Sequence, residues 1–282
     1  MKSRVWVTGS GGLIGSYVVG EASVGLPIEV VPLNRQNLDL LDFHAVRERF
    51  ATERPDGIIH CAAIANTGIC ERDAALAQQM NCEVSALLSS LVEKGSFVFV
   101  STDIVFDGSR GNYREDDSCS PINVYGRSKR DAELRVLANP LHCVIRLSLN
   151  GGTSPTGDRG FNEVIRGAFS RGETVTLFSD EYRQPIPAQV TAKILWQALL
   201  ERWSGIFHLG GAERMSRFEI GQLLAERWGG LNPRVVASSL RDFAGGKRAP
   251  DTSMNCEKIQ QRLNFPIPGL RKWLRDHPDE IF

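Results

Sequence analysis

The sequence predicts an α/β protein with a doubly wound parallel sheet and a smaller C-terminal α/β lobe. Two observations predict this class. Apolar segments alternate with amphipathic segments through the first half of the chain, and the apolar segments carry Val, Ile or Phe at almost every position. Such strands are typical of a parallel sheet that helices cover on both faces. The first of them also runs directly into a glycine-rich turn, as in a Rossmann fold.

Each element of the first half follows from this alternation. We expect strands at about Val5–Thr8, Ile28–Leu33, Gly57–Ala62, Ser96–Ser101 and Cys143–Leu147. We expect the connecting helices at about Leu13–Glu21, Phe43–Glu53, Cys70–Glu93 and Val124–Ala138. Crossovers between parallel strands of one sheet should be right-handed.

The second half is less regular, and a Gly-rich segment at 150–155 marks the exit from the sheet. The strand Gly205–Leu209 is expected to join the same sheet. Ser216 and Glu219 form a predicted capping box at the start of a helix. The helices of this half are expected at about Phe161–Ser170, Ala188–Arg202, Arg217–Trp228 and Pro268–Asp276.

Composition narrows the classes of function. A net charge of +0 does not favour nucleic acid as a partner. The first strand begins almost at Met1, and no apolar run approaches the roughly 20 residues that span a bilayer, so we expect a cytoplasmic protein without a membrane segment. We expect reduced thiols and no metal site, because no CxxC pair occurs. The cysteines are Cys61, Cys70, Cys82, Cys119, Cys143 and Cys256.

The glycine-rich turn predicts a dinucleotide site. Gly9 allows the tight turn, Gly12 lets the backbone approach a pyrophosphate, and Gly15 lets the helix and the strand pack closely. Free N–H groups at the start of the helix attract phosphates. The predicted contacts come from Gly9, Ser10, Gly11, Gly12, Leu13, Ile14 and Gly15. On this reading residues 1–150 form an NAD(P)-binding domain, to which about 187–210 return, and 151–282 form a substrate lobe.

The end of the second strand indicates which dinucleotide binds. Asn34 and Arg35 stand at this strand end, and Arg35 lies 20 residues after Gly15. An acidic residue at this position would select NAD. A guanidinium group pairs well with a phosphate, so we favour NADP, with NAD as the alternative. Asp39 could accept a hydrogen bond from the adenine, with the backbone near Leu40 contacting the ring. We expect Asp42 to cap the following helix.

Tyr125 and Lys129 lie four residues apart and therefore share one face of a helix. An ammonium group near a phenol lowers the pKa of the phenol, so we expect Lys129 to lower the pKa of Tyr125. Tyr125 would then donate a proton to a carbonyl oxygen while Lys129 holds a nicotinamide ribose. Thr102 ends the fourth strand, where its hydroxyl group can bind the same carbonyl.

With these motifs the chain resembles the extended short-chain dehydrogenases/reductases, in the branch of dTDP-4-dehydrorhamnose reductase. The resemblance covers most of the chain and is carried by the glycine turn, by the Tyr/Lys motif and by the segments at 39–42, 55–63, 101–108, 113–116 and 248–255. It implies that Thr102, Tyr125 and Lys129 are the catalytic set. It also implies that the loop after the third strand lines the cofactor, through Cys61, Ala62, Ala63 and Ala65.

The resemblance further implies a nucleotide-linked 4-keto sugar as substrate. Thr102, Asp103 and Asn150 would face this sugar. The family usually has a Tyr where Ile104 stands and a Trp where Leu149 stands, so the identity of the sugar is open. Arg183 and Arg248 could bind a diphosphate, or could form surface salt bridges instead.

Three functions compete on this pattern. The first is an NAD(P)H-dependent reductase of a nucleotide-linked keto sugar. The second is an epimerase or dehydratase, against which Ile104 argues because dehydratases usually carry a Glu there. The third is a non-catalytic, cofactor-binding regulatory subunit like the one of methionine adenosyltransferase, against which the intact catalytic set argues. A homodimer is an expectation that the sequence alone leaves open.

Overall fold

The computed structural model of the chain describes residues 3–22, 28–280 and 282. Its strands are β1 Ser3–Thr8, β2 Ile28–Leu33, β3 Gly57–His60, β4 Ser96–Thr102, β5 Cys143–Leu147, β6 Asn150–Gly151, β7 Thr174–Phe178, β8 Tyr182–Arg183, β9 Ile186–Pro187, β10 Gly205–Leu209, β11 Met215–Ser216 and β12 Arg234–Ser238. Its helices are α1 Leu13–Ala22, α2 Phe43–Glu53, α3 Thr67–Arg72, α4 Ala74–Gln78, α5 Val84–Leu91, α6 Val124–Val136, α7 Phe161–Ser170, α8 Ala188–Leu200, α9 Arg217–Arg227, α10 Glu257–Gln260 and α11 Leu270–Asp276.

The central sheet has six strands in the order β2-β1-β3-β4-β5-β10. All neighbouring strands in it run parallel. This confirms the predicted fold class and the predicted membership of Gly205–Leu209. The chain leaves β1 for β2 on one side and then crosses to β3 on the other side. Ligands of such sheets bind in the crevice at this switch point, beyond the carboxyl ends of the strands.

Apolar packing joins the two halves of the chain. Val7 and Ile59 of the central sheet belong to the same buried cluster as Leu177 of β7 and Ile220 of α9. Helix α8 packs against α1, and the indole Nε1 of Trp196 donates a hydrogen bond to the carbonyl oxygen of Val18 at 2.7 Å. One continuous core therefore supports both the sheet and the later elements.

The predicted helix Cys70–Glu93 is helical over most of its length but is not one continuous α-helix, because Asp73 interrupts it and a π-helical turn lies within it. Asp73 ends α3, and its side chain accepts a hydrogen bond from the Leu76 N–H and so starts α4. A π-helical turn at Gln79–Glu83 then separates α4 from α5. Local capping by a single carboxylate divides the segment where the apolar periodicity alone would continue it.

Other boundaries shift by one or a few residues. β3 ends at His60 rather than Ala62, because the chain turns there into the loop that meets the glycine turn. The capping box of α9 is confirmed, with Ser216 and Glu219 bonded reciprocally. All six cysteines are unpaired thiols. Within the described residues no helix is long and apolar enough to cross a membrane.

Candidate active site

The glycine turn lies against the loop that follows β3. Gly9 has a φ of 69°, and a Cβ atom on it would lie 2.7 Å from the backbone nitrogen of Ala62. A Cβ atom on Gly15 would lie 2.2 Å from the carbonyl oxygen of Gly9. Both positions therefore require glycine, one for its backbone conformation and both for close approach.

The residues around this turn fit a dinucleotide. Helix α1 begins at Leu13, directly after the turn, and the first N–H groups of a helix have no partner within it. The Ser10 N–H donates to the carbonyl oxygen of Leu33 at 3.1 Å, which brings the end of β2 beside the turn. A Cβ atom on Gly11 would lie 3.9 Å from Asn34. Such a cradle suits a pyrophosphate at the helix and a ribose at β2.

Arg35 is exposed at the end of β2 and forms no hydrogen bond or ion pair with any residue that the structure describes. The carboxylate of Asp39 accepts a hydrogen bond from the Leu41 N–H, and Leu40 is buried. Asp42 accepts one from the Ala45 N–H, which confirms it as the cap of α2. The guanidinium group of Arg35 is therefore free of partners among the described residues, at the end of the strand that follows the glycine turn.

Thr102 and Tyr125 both lie beyond the carboxyl end of β4. Asn123 caps α6 and so places Tyr125 in the first turn of that helix. The Thr102 hydroxyl donates to Asp103 at 3.2 Å and accepts from the Ile104 N–H at 3.2 Å. Burial raises the pKa of Tyr125 above its ordinary value, and a hydrogen bond to Thr102 opposes this rise. The phenol therefore keeps its proton at neutral pH.

Lys129 is buried, and its Nζ donates to the carbonyl oxygen of Val100 at 2.7 Å. Burial lowers the pKa of Lys129 to about 7, and the nearby Glu133 opposes this shift. Burial lowers the pKa of His60, and the charge of Lys129 adds to this shift. Burial raises the pKa of Cys61, and the same charge opposes that rise, so the amine lies near the end of β3 and the loop after it. The expectation that Lys129 lowers the pKa of Tyr125 is wrong for this structure, because burial of the phenol dominates.

Asp103 links the end of β4 to the second half of the chain. Its Oδ2 accepts hydrogen bonds from the hydroxyl groups of Ser148 at 3.2 Å and Thr252 at 2.8 Å. The guanidinium group of Arg183 lies 3.8 Å from the same oxygen. Asn150 is buried beside β9 and accepts a hydrogen bond from the Thr191 hydroxyl. The side chain of Asp103 is therefore held by protein groups on several sides.

Arg183 and Arg248 meet at a buried carboxylate, that of Glu181. Arg248 binds both carboxylate oxygens of Glu181, at 2.7 and 2.8 Å, and Arg183 lies 3.0 Å from one of them. Arg217 also pairs with Glu181, at 3.3 Å. We call these four residues the arginine cluster. Because Arg183 is only 4% exposed, the alternative of a surface salt bridge is wrong for it.

The charges of the arginine cluster are unbalanced, with three guanidinium groups around the one carboxylate of Glu181 and a second carboxylate, that of Asp103, 3.8 Å from Arg183. Burial lowers the pKa of Arg217 to about 10, and the charges of Arg183 and Arg248 act in the same direction. Nη1 of Arg217 is buried without a hydrogen-bond partner among the described residues. An additional anion near this cluster would relieve the repulsion.

Ile104 and Leu149 are both half-buried. Ile104 packs against the small apolar cluster that contains Tyr125, and its carbonyl oxygen would lie 2.4 Å from a Cβ atom on Gly126. Leu149 packs against the main core. Both positions adjoin the network around Asp103 in the chain, since Ile104 follows Asp103 and Leu149 follows Ser148.

Sequence reasoning missed several buried polar residues of the site. The side-chain amide of Asn81 donates hydrogen bonds to the Ser128 hydroxyl at 3.0 Å and to the carbonyl oxygen of Ile64. Its oxygen accepts a hydrogen bond from the Ile64 N–H. Glu133 accepts from the hydroxyl of Ser101 and from Arg146. The spacing of Glu133, four residues after Lys129, is the one signal that could have indicated its face of α6.

Within the part of the chain that the structure describes, no group of three or more His, Cys, Asp or Glu could hold a metal ion.

Comparisons with known proteins identify a family and relatives for the chain. The family model of the RmlD substrate binding domain matches residues 3–281. The chain is 32% identical to the probable low-salt glycan biosynthesis reductase Agl14 of Haloferax volcanii, over 94% of each protein. It is 28% identical to the beta subunit of methionine adenosyltransferase 2 of Pongo abelii, over 96% of this chain and 87% of that protein.

Among solved structures, the dTDP-4-dehydrorhamnose reductase of Bacillus anthracis, in complex with NADP, superposes with a TM-score of 0.89. The match covers 98% of both chains at 22% sequence identity, which shows a shared fold.

Proposed function

Since the chain belongs to the family of the RmlD substrate binding domain, we propose that it is an NADPH-dependent reductase of a nucleotide-linked keto sugar. One observation carries the proposal. Thr102, Tyr125 and Lys129 stand beyond or beside the carboxyl end of β4, on the edge of the sheet that also carries the glycine turn. A carbonyl bound there would meet a proton donor next to a dinucleotide site.

In this proposal each of the three side chains has its own role in reduction of the carbonyl. A bound nicotinamide dinucleotide supplies a hydride. Tyr125 donates its phenolic proton to the carbonyl oxygen as the hydride arrives, and this transfer has to overcome the raised pKa of the buried phenol. The Thr102 hydroxyl hydrogen-bonds the same oxygen and orients the carbonyl. Lys129 lies under the loop after β3, where its amine can hold a ribose hydroxyl.

Two features support the choice of NADPH over NADH in this proposal. Arg35 is exposed and unpaired among the described residues, at the position where the fold selects between the two dinucleotides. Asp39 stands four residues further on and is already bonded to the Leu41 N–H. A guanidinium group without a partner pairs readily with a phosphate. NADH is the alternative that titration would distinguish.

The arginine cluster supports a diphosphate in the substrate. Arg183 contacts both Asp103, next to Thr102, and Glu181. The cluster therefore begins beside the reacting carbonyl and extends to Arg248, the most exposed of its three arginines. A nucleoside diphosphate sugar presents its anionic group on the far side of the sugar, where these guanidinium groups would meet it. We assign the cofactor to residues 1–150 with 187–210, and the substrate to most of 151–282.

The similarity to the beta subunit of methionine adenosyltransferase 2 favours a second candidate, a regulatory subunit that binds the cofactor without turnover. Thr102, Tyr125 and Lys129 argue against it, because such a subunit needs no proton donor. An epimerase or dehydratase is the third candidate, and Ile104 offers no carboxylate for dehydration.

The test is NADPH oxidation, followed at 340 nm, with a panel of nucleotide-linked 4-keto sugars. We expect oxidation with at least one of them, and less than about a tenth of that rate with the Tyr125→Phe variant. If NADPH binds but no keto sugar is reduced, the regulatory candidate replaces the reductase. If neither NADPH nor NADH binds, both proposals fail.

A further inference from the structure

A row of buried polar side chains lies below the glycine turn and has no part in the proposed chemistry. It consists of Thr8 at the end of β1, His60 at the end of β3 and Ser85 in α5. All three are fully buried. The Thr8 hydroxyl lies 2.6 Å from Nδ1 of His60, and Nε2 of His60 lies 3.0 Å from the Ser85 hydroxyl.

The partners of the two hydroxyl groups give the row a direction. Ser85 donates its proton to the carbonyl oxygen of Asn81 at 2.7 Å, so its oxygen accepts from Nε2–H of His60. Nδ1 of a neutral His60 is then an acceptor, and Thr8 donates to it. The Thr8 oxygen in turn accepts from the Ala62 N–H at 3.2 Å. Every proton therefore points from Ala62 towards Asn81.

The surroundings of His60 keep the ring neutral and fixed. The ring stacks on Phe99, with centroids 5.7 Å apart and an interplanar angle of 25°. Burial, together with the charge of Lys129, lowers the pKa of His60 to about 3. A cationic ring would have to donate from both nitrogens, and it would then lose the hydrogen bond from Thr8.

One end of the row lies at the glycine turn, and the other end lies next to α6. At one end, the Ala62 nitrogen is the atom that a Cβ on Gly9 would meet at 2.7 Å. At the other end, the side chain of Asn81 donates to Ser128. Ser128 lies in α6 between Tyr125 and Lys129, and its hydroxyl donates to the carbonyl oxygen of Tyr125 at 2.9 Å.

Three apolar residues would fill this space without needing partners, whereas each buried polar group costs free energy unless it is paired. The row is fully paired, and it connects segments far apart in the chain: the turn after β1, the loop after β3, α5 and α6. A fully satisfied buried network fixes the relative positions of the elements it joins.

We propose that Thr8, His60 and Ser85 form a one-directional hydrogen-bond relay, in which His60 is a positioning residue that fixes α6 relative to the glycine turn. The relay itself is a property of the fold. Its consequence for the dinucleotide rests on the proposed function.

The relay is tested by comparing Ser85→Ala with Ser89→Ala. Ser89 is also buried in α5 and also donates to a backbone carbonyl, that of Ala86, but it has no bond to His60. Nitrogen-15 NMR of His60, assigned with a His60→Gln variant, should show the Nε2–H tautomer in the unaltered protein. Ser85→Ala should shift the His60 ring nitrogens and the Ala62 amide, whereas Ser89→Ala should leave both unchanged.

Binding of NADPH gives the second readout. Ser85→Ala should weaken NADPH binding about threefold to tenfold, which corresponds to the loss of one buried hydrogen bond. Thr8→Val interrupts the same relay, so the double variant should bind no more weakly than the weaker single variant.

An Nδ1–H tautomer in the unaltered protein, or an Ala62 amide that Ser85→Ala does not move, would overturn the relay. So would losses of NADPH affinity that multiply in the double variant, because they would show independent effects. If the unaltered protein does not bind NADPH, the proposed function fails, and the NMR comparison still decides whether the relay exists.

Discussion

Burial is the main influence on the charge of the two central residues of this site. Tyr125 and Lys129 are both almost fully enclosed, and burial favours the neutral form of each. A neutral phenol is the form that donates a proton. An amine with a pKa of about 7 changes its charge near neutral pH, and it therefore responds to groups that bind next to it.

Tyr125→Phe should reduce turnover of the keto-sugar substrate to less than about a tenth, because general acid catalysis contributes about 10²–10⁴. NADPH affinity should change less than about twofold, since the phenol has few contacts with a dinucleotide. Tyr113→Phe is the control, because the Tyr113 hydroxyl is buried and bonded to Asp107. Substantial turnover by Tyr125→Phe would show that another group supplies the proton.

Arg35 should give NADPH an affinity at least about tenfold above that of NADH, because it can pair with the 2′-phosphate. Arg35→Ala should remove this preference and leave NADH binding unchanged, as measured by quenching of Trp fluorescence. Arg47→Ala is the control, since Arg47 is an exposed arginine of α2 that bonds only to its own helix. A wild-type protein with equal affinities for the two dinucleotides would contradict the assignment of Arg35.

His208 makes the fold sensitive to acid. Its ring is buried between Arg146 and the carbonyl oxygen of Tyr113, and burial, assisted by Arg146, lowers its pKa to about 3. Below pH 6.5 the unfolded chain therefore binds a proton that the folded protein refuses, so stability falls as the pH drops towards 3. Urea unfolding at pH 7 and pH 5 should show a smaller loss for His208→Gln than for the wild-type protein. Equal losses would show that His208 titrates normally.

At the scale of elements, helix α1 contains one glycine that the turn requires and one that it does not. A Cβ on Gly15 would meet the carbonyl oxygen of Gly9 at 2.2 Å, whereas a Cβ on Gly20 would have no atom within 4 Å. The two positions lie in one helix and differ only in their surroundings.

Gly15→Ala should lower the free energy of unfolding by about 1–3 kcal/mol through overpacking, and it should displace the turn and weaken NADPH binding. Gly20→Ala should raise the free energy of unfolding by up to about 1 kcal/mol, since Ala favours a helix more than Gly does. Thermal unfolding and NADPH titration of both variants measure these effects. Similar stability changes in the two variants would mean that the close approach at Gly15 is not needed.

At the scale of the whole molecule, the two halves meet at Asp103, which contacts Thr252 and Arg183 of the arginine cluster. This region lacks the two aromatic residues that the family usually has, because Ile104 and Leu149 stand in their places. Aliphatic side chains offer apolar area without a flat ring to stack on a sugar.

We therefore expect kcat/KM for dTDP-4-dehydrorhamnose below about 10⁴ M⁻¹s⁻¹, the low end of the range for ordinary enzymes. Another nucleotide-linked keto sugar should be reduced faster. The Ile104→Tyr/Leu149→Trp double variant should improve the rate on dTDP-4-dehydrorhamnose. A wild-type value above that limit would show that these two aromatic residues are dispensable.

The sequence by itself determined the six strands of the central parallel sheet, most of the longer helices, the need for Gly9 and Gly15, and the caps at Asp42 and Ser216. These features depend on local periodicity, on backbone conformation and on hydrogen bonds over a few residues. All of these are set by residues that are close together in the sequence. The prediction of one long helix after Cys70 missed the interruption at Asp73. The capping carboxylate of Asp73 is also a local signal, but the apolar periodicity outweighed it in the prediction.

Only the tertiary structure decided what the buried polar groups contact. Lys129 faces Val100 and the loop after β3, although its spacing from Tyr125 indicated the phenol. Glu181 forms ion pairs with three arginines from separate segments of the chain. His60 forms hydrogen bonds with Thr8 of β1 and Ser85 of α5. Pairing and burial of this kind depend on how distant segments of the chain pack together. The pKa of each group depends on the same packing, because desolvation is a property of the folded core.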